Sequence, residues 1–293
     1  MSMKVGFVGL GIMGKPMALN LLKAGYPLWV HARRPESMEP LAEAGAVACA
    51  NASEVAAQAD VIFVMVSDTP DVEQVVLGQL GIIHGVKAGS IVVDMSTISP
   101  TATKAMAAAL RVRGVEMLDA PVSGGDVGAI NGTLSIMAGG KPEAFERVKP
   151  LFEAMGKNIV HIGDNGAGQV AKACNQIVVG LTIQAVAEAL TFARKNGVDA
   201  TKVREALLGG FAGSKILEVH GNRMLQHDFR PGFKTSLHQK DLNIVMQTAC
   251  ELGMALPGTA LVMQNLNALM GTGDGDIDSA AIVKVVERMS GLG

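Results

Sequence analysis

From residue 4 to about residue 162 the chain changes period again and again. Short runs rich in Val, Ile and Phe, too brief for helices, alternate with Ala-rich stretches whose apolar residues recur at helical spacing. Strands are expected at 4–8, 27–31, 61–65, 90–94, 115–119, 134–138 and 158–162, with helices between them at 14–24, 37–44, 53–58, 70–77, 100–113 and 142–154. Strands joined through crossover helices pair parallel as a rule, so this pattern selects an α/β doubly wound, parallel-rich sheet. After the glycine-rich stretch at 163–168 the β signal stops. Helices alone are expected at 167–196, 199–208, 213–226, 237–252, 259–270 and 279–289. The predicted organisation is therefore two domains, residues 1–164 and 165–293, the second all-helical and opening on a long inter-domain helix. A length of 293 residues agrees with two domains at about 150 residues each.

Composition narrows the function classes. Lys and Arg number 25 against 27 Asp and Glu, so no broad basic surface is available for nucleic acid or an anionic membrane, and neither partner is expected. The most apolar stretch, 173–193, is interrupted by Asn175, Gln176, Thr182, Gln184 and Glu188. It reads as a buried helix rather than a membrane span. No charged leader precedes the first strand, so no secretory signal is expected. Three widely spaced cysteines, Cys49, Cys174 and Cys250, suggest no disulfide framework and fit a reducing cytoplasm. His220, His227 and His238, with Asp228 and Asp241, match no compact ligand spacing, so no metal is expected.

The first strand runs into Gly9-Leu10-Gly11-Ile12-Met13-Gly14 and then a helix, which is GxGxxG in a strand–turn–helix context. Gly9 would make the turn, Gly11 would let backbone approach a pyrophosphate, and Gly14 would let the helix pack on the strand. The plainer alternative is that all three are steric. The second strand ends in His31-Ala32-Arg33-Arg34, with no carboxylate for the adenosine ribose. Two arginines could instead fork onto a 2′-phosphate, so NADP(H) is expected in preference to NAD(H), unless Arg33 and Arg34 are only a solvated pair.

Lys172 stands near the start of the 173–193 helix, whose only formal charge is Glu188. A cation there opposes the positive end of the helix dipole, which stability alone would not select. Asn175 shares its face. The mechanistic reading makes Lys172 a proton donor to a substrate carbonyl; the alternative is a lysine snorkelling at a domain edge. Ser123-Gly124-Gly125, just after a strand, could form a small nest for a carboxylate, and Ser96-Thr97 end another strand on the same edge of the sheet.

Taken together, 9–14, 119–125 and 166–175 resemble the three signature segments of the β-hydroxyacid dehydrogenase family, along essentially the whole chain. The resemblance implies a Rossmann domain followed by an all-helical domain, and homodimers or homotetramers. It implies Lys172 as catalytic acid/base with Asn175 beside it, and Ser123, Gly124 and Gly125 on the substrate carboxylate. Met65, Val66, Ser96, Thr97, Phe233 and Lys240 join the glycine turn and the arginines around the cofactor. Segments 209–214 and 231–233 resemble those of members that reduce tartronate semialdehyde to D-glycerate. Oxidation of 3-hydroxyisobutyrate, or reduction of glyoxylate or succinic semialdehyde, would use the same anchors, with Ser214, Phe233 and His238 as candidate discriminators. Ala32 stands where many relatives carry Asp. A non-catalytic dinucleotide-binding module is the alternative of a different class, and the joint presence of Lys172 and Asn175 argues against it.

Overall fold

A computed structural model describes residues 3–292, which divide into two compact units, the first ending at Lys172 and the second beginning at Ala173. The first contains, in order, β1 (Val5–Val8), α1 (Gly14–Lys23), β2 (Leu28–His31), α2 (Glu39–Glu43), β3 (Val47–Ala48), α3 (Ala52–Gln58), β4 (Val61–Val64), α4 (Thr69–Leu77), β5 (Ile91–Asp94) and α5 (Pro100–Arg111). It continues with β6 (Glu116–Asp119), β7 (Val122–Ser123), α6 (Gly125–Asn131), β8 (Leu134–Gly139), α7 (Pro142–Glu153), β9 (Gly156–Gly163) and the first turns of α8 (Ala167–Lys195). The sheet order is β3-β2-β1-β4-β5-β6-β8-β7, with β9 also on β8.

β1, β4 and β5 are buried at every position because helices cover both faces, which is why they read as unbroken apolar runs. Alternate residues serve opposite cores: Val5, Phe7, Phe63 and Val93 pack on one face, and Val8, Ile62, Val64 and Val92 on the other. Four of the eight phenylalanines gather on the first face, where Phe7 stacks on Phe63 at 5.9 Å, Phe63 meets Phe152 edge-on at 6.2 Å, and Phe145 adjoins Phe152 at 6.1 Å. β1 lies between β2 and β4, both parallel to it. The chain therefore reverses its direction of winding between β1 and β4, the point at which open α/β sheets bind ligands, outside the carboxyl ends of the strands.

The parallel rule fails at one end of the sheet. β8 pairs antiparallel with β6 and β7 and parallel with β9. Between β6 and β8 the chain runs only through β7 and the seven-residue α6, without the long crossover helix that a parallel pairing requires. Sequence reading missed β3, β7 and α6.

The second unit carries the rest of α8 and α9 (Ala200–Leu208), α10 (Lys215–Gln226), α11 (Thr235–Glu251), α12 (Pro257–Gly271) and α13 (Ile282–Met289). Its core joins Ile183, Ala187 and Leu190 of α8 to Leu217 and Met224 of α10, Leu242 of α11, Leu266 of α12 and Val283 and Val286 of α13. These are aliphatic residues at helical spacing, as an aromatic-poor chain requires.

Candidate active site

The three turn glycines are there for different reasons. Gly9 has φ +99°, and a Cβ on it would lie 2.2 Å from the Met65 carbonyl oxygen, so the approach of the β1 turn to the end of β4 excludes a side chain. On Gly14 a Cβ would fall 1.9 Å from the Gly9 carbonyl oxygen. Gly11 differs: it is exposed, and a Cβ there meets nothing within 4 Å. Nothing inside the protein demands its small size. The adjoining α1 begins without a side-chain cap and without an acid in its first turn. Lys15 and Met17 of its first turn give their N–H groups to the Gly11 and Met13 carbonyls at 3.0 and 3.3 Å and Pro16 has none, so it is the backbone of the Gly9–Gly14 turn, at the positive end of the helix, that fits a dinucleotide pyrophosphate. Leu10 turns its side chain into the core, Met13 is half-buried and Ile12 is exposed, so of these three Leu10 can offer a ligand only backbone.

Past β2, Ala32 is buried while Arg33 and Arg34 are exposed. Arg33 pairs with Asp71 at 3.3 Å with its side chain 81% exposed, a bond that water already screens. Arg34 precedes a 3-10 turn at Pro35–Ser37 and gives it no side-chain cap. Met65 and Val66 are half-buried at the end of β4, where the Val66 N–H donates to Ser96 Oγ at 3.0 Å. Ser96 is wholly buried, and its N–H donates to Asp94 Oδ1 at 3.0 Å. Its hydroxyl therefore ties the loop after β4 to the loop after β5. Thr97 is half-buried between Ser96 and the buried Ile98.

Lys172 lies in the second turn of α8 and is 7% exposed. The start of that helix is held by residues distant in sequence. Asp119, at the end of β6, accepts from the Gly166 N–H at 2.7 Å and the Gln169 N–H at 3.0 Å, acting as an N-cap supplied from the sheet. Gly139 and Gly168 make room for it: a Cβ on either would come within 2.9 Å of its carboxylate oxygens. Burial pushes the Asp119 carboxyl up to about 6, against the opposing pull of the backbone N–H donors. Ser123 ends β7, paired with Ser135 of β8, and Gly124 and Gly125 follow with φ +130° and +63°. Both glycines are exposed at the start of α6, which has no side-chain N-cap. That exposed backbone turn is suited to a small carboxylate.

In the second unit Asn175 Nδ2 donates to Gln176 Oε1 at 2.7 Å, and Gln176 Nε2 donates to Asp241 Oδ2 at 2.6 Å. Asp241 is 4% exposed and also meets Lys240 Nζ at 2.9 Å. The structure thus links Asn175 and Lys240, two residues assigned to the site from sequence, through Gln176 and Asp241, which were not assigned to it. Phe233 and His238 adjoin, with ring centroids 5.4 Å apart, and His238 is buried on α11. The loop carrying Phe233 is held by the buried Asp278 carboxylate, which accepts from the N–H groups of Gly232 at 3.0 Å and Phe233 at 2.9 Å. Ser214 acts locally, its Oγ accepting from the Leu217 N–H at 3.0 Å to cap α10. Among the described residues no group of three or more His, Cys, Asp and Glu side chains is placed to hold a metal ion.

Comparison with known proteins bears on this arrangement. Residues 4–163 match the family model described as the NAD binding domain of 6-phosphogluconate dehydrogenase, and residues 166–286 match that of the NAD-binding domain of NADP-dependent 3-hydroxyisobutyrate dehydrogenase. The chain belongs to the β-hydroxyacid dehydrogenase family. It is 51% identical to 2-hydroxy-3-oxopropionate reductase of Escherichia coli, over 98% of each chain. It is 38% identical to the NAD-dependent L-serine dehydrogenase of Pseudomonas aeruginosa, over 98% of this chain and 99% of that one. A Mycobacterium tuberculosis 3-hydroxyisobutyrate dehydrogenase superposes with a TM-score of 0.89 at 32% identity, over 98% of this chain and 99% of the other.

The protein is thus an NAD(P)-dependent hydroxyacid dehydrogenase. Four side chains of this dehydrogenase escaped the sequence reading of its site: Gln169, Gln176, Asp241 and Asp278. Each makes its decisive bonds to residues far away in the chain. One signal was available, since Gln169, Lys172 and Gln176 fall on one face of α8 at spacings of three and four, and all three are buried polar residues. Buried polar residues repeated on one face of an otherwise apolar helix mark a polar interior.

Proposed function

We propose that this dehydrogenase reduces tartronate semialdehyde to D-glycerate, drawing hydride from NADPH in preference to NADH. The observation that carries the catalytic reading is Lys172, a lysine only 7% exposed in the second turn of α8, where the helix dipole opposes a cation. The choice of substrate rests on the 51% identity to a relative named 2-hydroxy-3-oxopropionate reductase. Support for NADP(H) comes from the exposed Arg33 and Arg34 after a buried Ala32, with no carboxylate at the strand end.

When bound, the reduced nicotinamide supplies the hydride. The Gly9–Gly14 turn would hold its pyrophosphate, and Met65, Val66, Thr97 and Lys240 are the further residues that would contact the cofactor. Ser123 and the N–H groups of Gly124 and Gly125 anchor the substrate carboxylate. Lys172 donates a hydrogen bond to the aldehyde oxygen and passes its proton there as the carbonyl carbon gains hydride, so the aldehyde becomes a primary alcohol and the lysine is left neutral. Asn175, oriented through Gln176 and Asp241, steadies the same oxygen.

We also propose a homodimer or homotetramer of the reducing cytoplasm, with no membrane or nucleic-acid partner. Val170, Val178, Leu181 and Phe192 make an exposed apolar stripe along α8 that a second copy would cover. Cys49, Cys174 and Cys250 are all free thiols. α8 is long and apolar enough to cross a membrane, but half of its most apolar window is buried inside the protein.

Steady-state kinetics with tartronate semialdehyde, glyoxylate, succinic semialdehyde and 3-hydroxyisobutyrate, each with both cofactors, tests these assignments. The highest kcat/KM is expected for tartronate semialdehyde with NADPH. A higher value for another acid overturns the substrate, equal values for the two cofactors overturn the NADP(H) preference, and binding of NADPH without reduction of any acid favours a binding module.

A further inference from the structure

Gln169 precedes Lys172 by three residues on α8, is 2% exposed, and spans the loop that carries Thr97. Its Nε2 donates to the Ser96 carbonyl oxygen at 2.8 Å, and its Oε1 accepts from the Ile98 N–H at 3.1 Å. One planar amide thus grips the backbone on both sides of Thr97. The Ser96 end of that loop is fixed in turn by Asp94 and by the Val66 N–H, and the Gln169 backbone N–H is fixed by Asp119. A line of hydrogen bonds, buried from Ser96 onward, therefore runs from the loop after β4, through the loop after β5, into the first turn of α8.

We propose that Gln169 is a positioning residue for catalysis, setting Lys172 in register with the Thr97 loop against which the reacting ring lies. This rests on the role assigned to Lys172 above. Neither polar end of the amide is spare: the loop cannot slide along the helix, nor the helix turn on its axis, without breaking two buried bonds at once. Proton transfer and hydride transfer must meet at the two ends of one carbonyl bond, and a misplacement of about 1 Å between such groups costs about 10²-fold in rate. Gln169 touches neither substrate nor cofactor in this scheme.

Two substitutions separate positioning from packing. Gln169→Met keeps the side chain's length and removes both bonds. In Gln169→Glu the introduced carboxyl keeps both when protonated, its O–H donating to Ser96 and its carbonyl oxygen accepting from Ile98, and loses the donor on ionising. Kinetics from about pH 5 to about pH 9, with reduced cofactor carrying deuterium at the transferred position, read the outcome. For Gln169→Met the expected result is a kcat lowered about 10- to 100-fold, KM for NADPH within about twofold of the wild type, and an enlarged deuterium isotope effect. For Gln169→Glu the deficit should shrink toward low pH and deepen as the new carboxyl ionises. Wild-type kcat in Gln169→Met, or a Gln169→Glu deficit equal at every pH, overturns the proposal; should Gln169→Met fail to fold, the pH dependence of Gln169→Glu decides. Lys172→Ala, run alongside, separates the two readings. If it retains turnover, the role of the lysine falls and this one with it. If it is slow while Gln169→Met is not, Gln169 alone is refuted.

Discussion

The glycines at 9, 11 and 14 look alike in sequence, yet alanine at each should give a different failure. At Gly14 the added methyl would sit 1.9 Å from the Gly9 carbonyl oxygen and 3.1 Å from the Phe7 ring. Backbone cannot yield as a flexible side chain does, so α1 must lift from β1, an overpacking cost of about 3 kcal/mol. For a unit of this size that cost lowers Tm by roughly 6–12 °C. At Gly9 the methyl meets the Met65 carbonyl oxygen at 2.2 Å and also forces a side chain into φ +99°, which adds about 1–2 kcal/mol. At Gly11 it meets nothing within 4 Å. Removing a glycine there trims the freedom of the unfolded chain and should leave stability unchanged or raise it by about 0.4–1 kcal/mol.

Binding should show the reverse order. If the Gly11 backbone approaches a pyrophosphate, a methyl there displaces the anion from one or two charge-assisted hydrogen bonds, worth about 1.5–3 kcal/mol. That is roughly a 10- to 150-fold rise in Kd. The assay is a pair of measurements on each variant: Tm without cofactor, and Kd from the quenching or enhancement of NADPH fluorescence. Gly11→Ala should melt with the wild type and bind weakly, whereas Gly14→Ala should melt early. A Gly11→Ala protein that binds NADPH as tightly as the wild type would refute the assignment of the turn, because the structure offers no other reason for that glycine.

Three further outcomes are expected. Lys172→Ala should lower kcat by roughly 10²–10⁴ while NADPH affinity stays near the wild-type value, and stopped-flow turnover with a cofactor titration checks both. Arg33→Ala combined with Arg34→Ala should raise KM for NADPH about 10- to 100-fold, leave KM for NADH unchanged, and alter stability by less than about 1 kcal/mol, because the Arg33–Asp71 pair is exposed. For Asp119 the sign follows from a carboxyl pushed up to about 6 in the folded protein. Below the ordinary carboxylate range both states bind the proton. As pH rises from about 4 to about 6 the unfolded chain releases it first, so stability falls by about 3 kcal/mol through this window and is level above it. Urea unfolding of wild type and Asp119→Asn at about pH 4.5 and pH 7 should therefore show the wild type losing ground to the variant as pH rises, and parallel behaviour would contradict the burial argument.

How much of this was legible in the sequence depended on how local its cause is. β1, β4 and β5 announce themselves because a strand covered on both faces is an unbroken apolar run, and α5 and α7 because each turns one face to the core. α6 was hidden by Gly124 and Gly125, which mark a turn before they start a helix, and β3 and β7 are two residues long and carry no pattern. The catalytic candidates were legible by type and place: a lysine where the helix dipole disfavours it, glycines after a strand. What holds them was not. Asp119 accepts from the Gly166 N–H 47 residues on, just ahead of α8, Gln169 reaches back 73 residues to Ser96, and Asp278 grips a loop 45 residues before it. Such bonds pair a side chain with main chain, and every residue offers the same N–H and C=O whatever its type. No residue choice at Ser96 or Ile98 records that Gln169 will bond there, so a single sequence offers candidates for reacting groups by their type and conceals the side chains that hold them. The supporting residues of a family site are therefore found by asking which buried polar side chains bond to distant backbone, as Gln169, Asp119 and Asp278 all do.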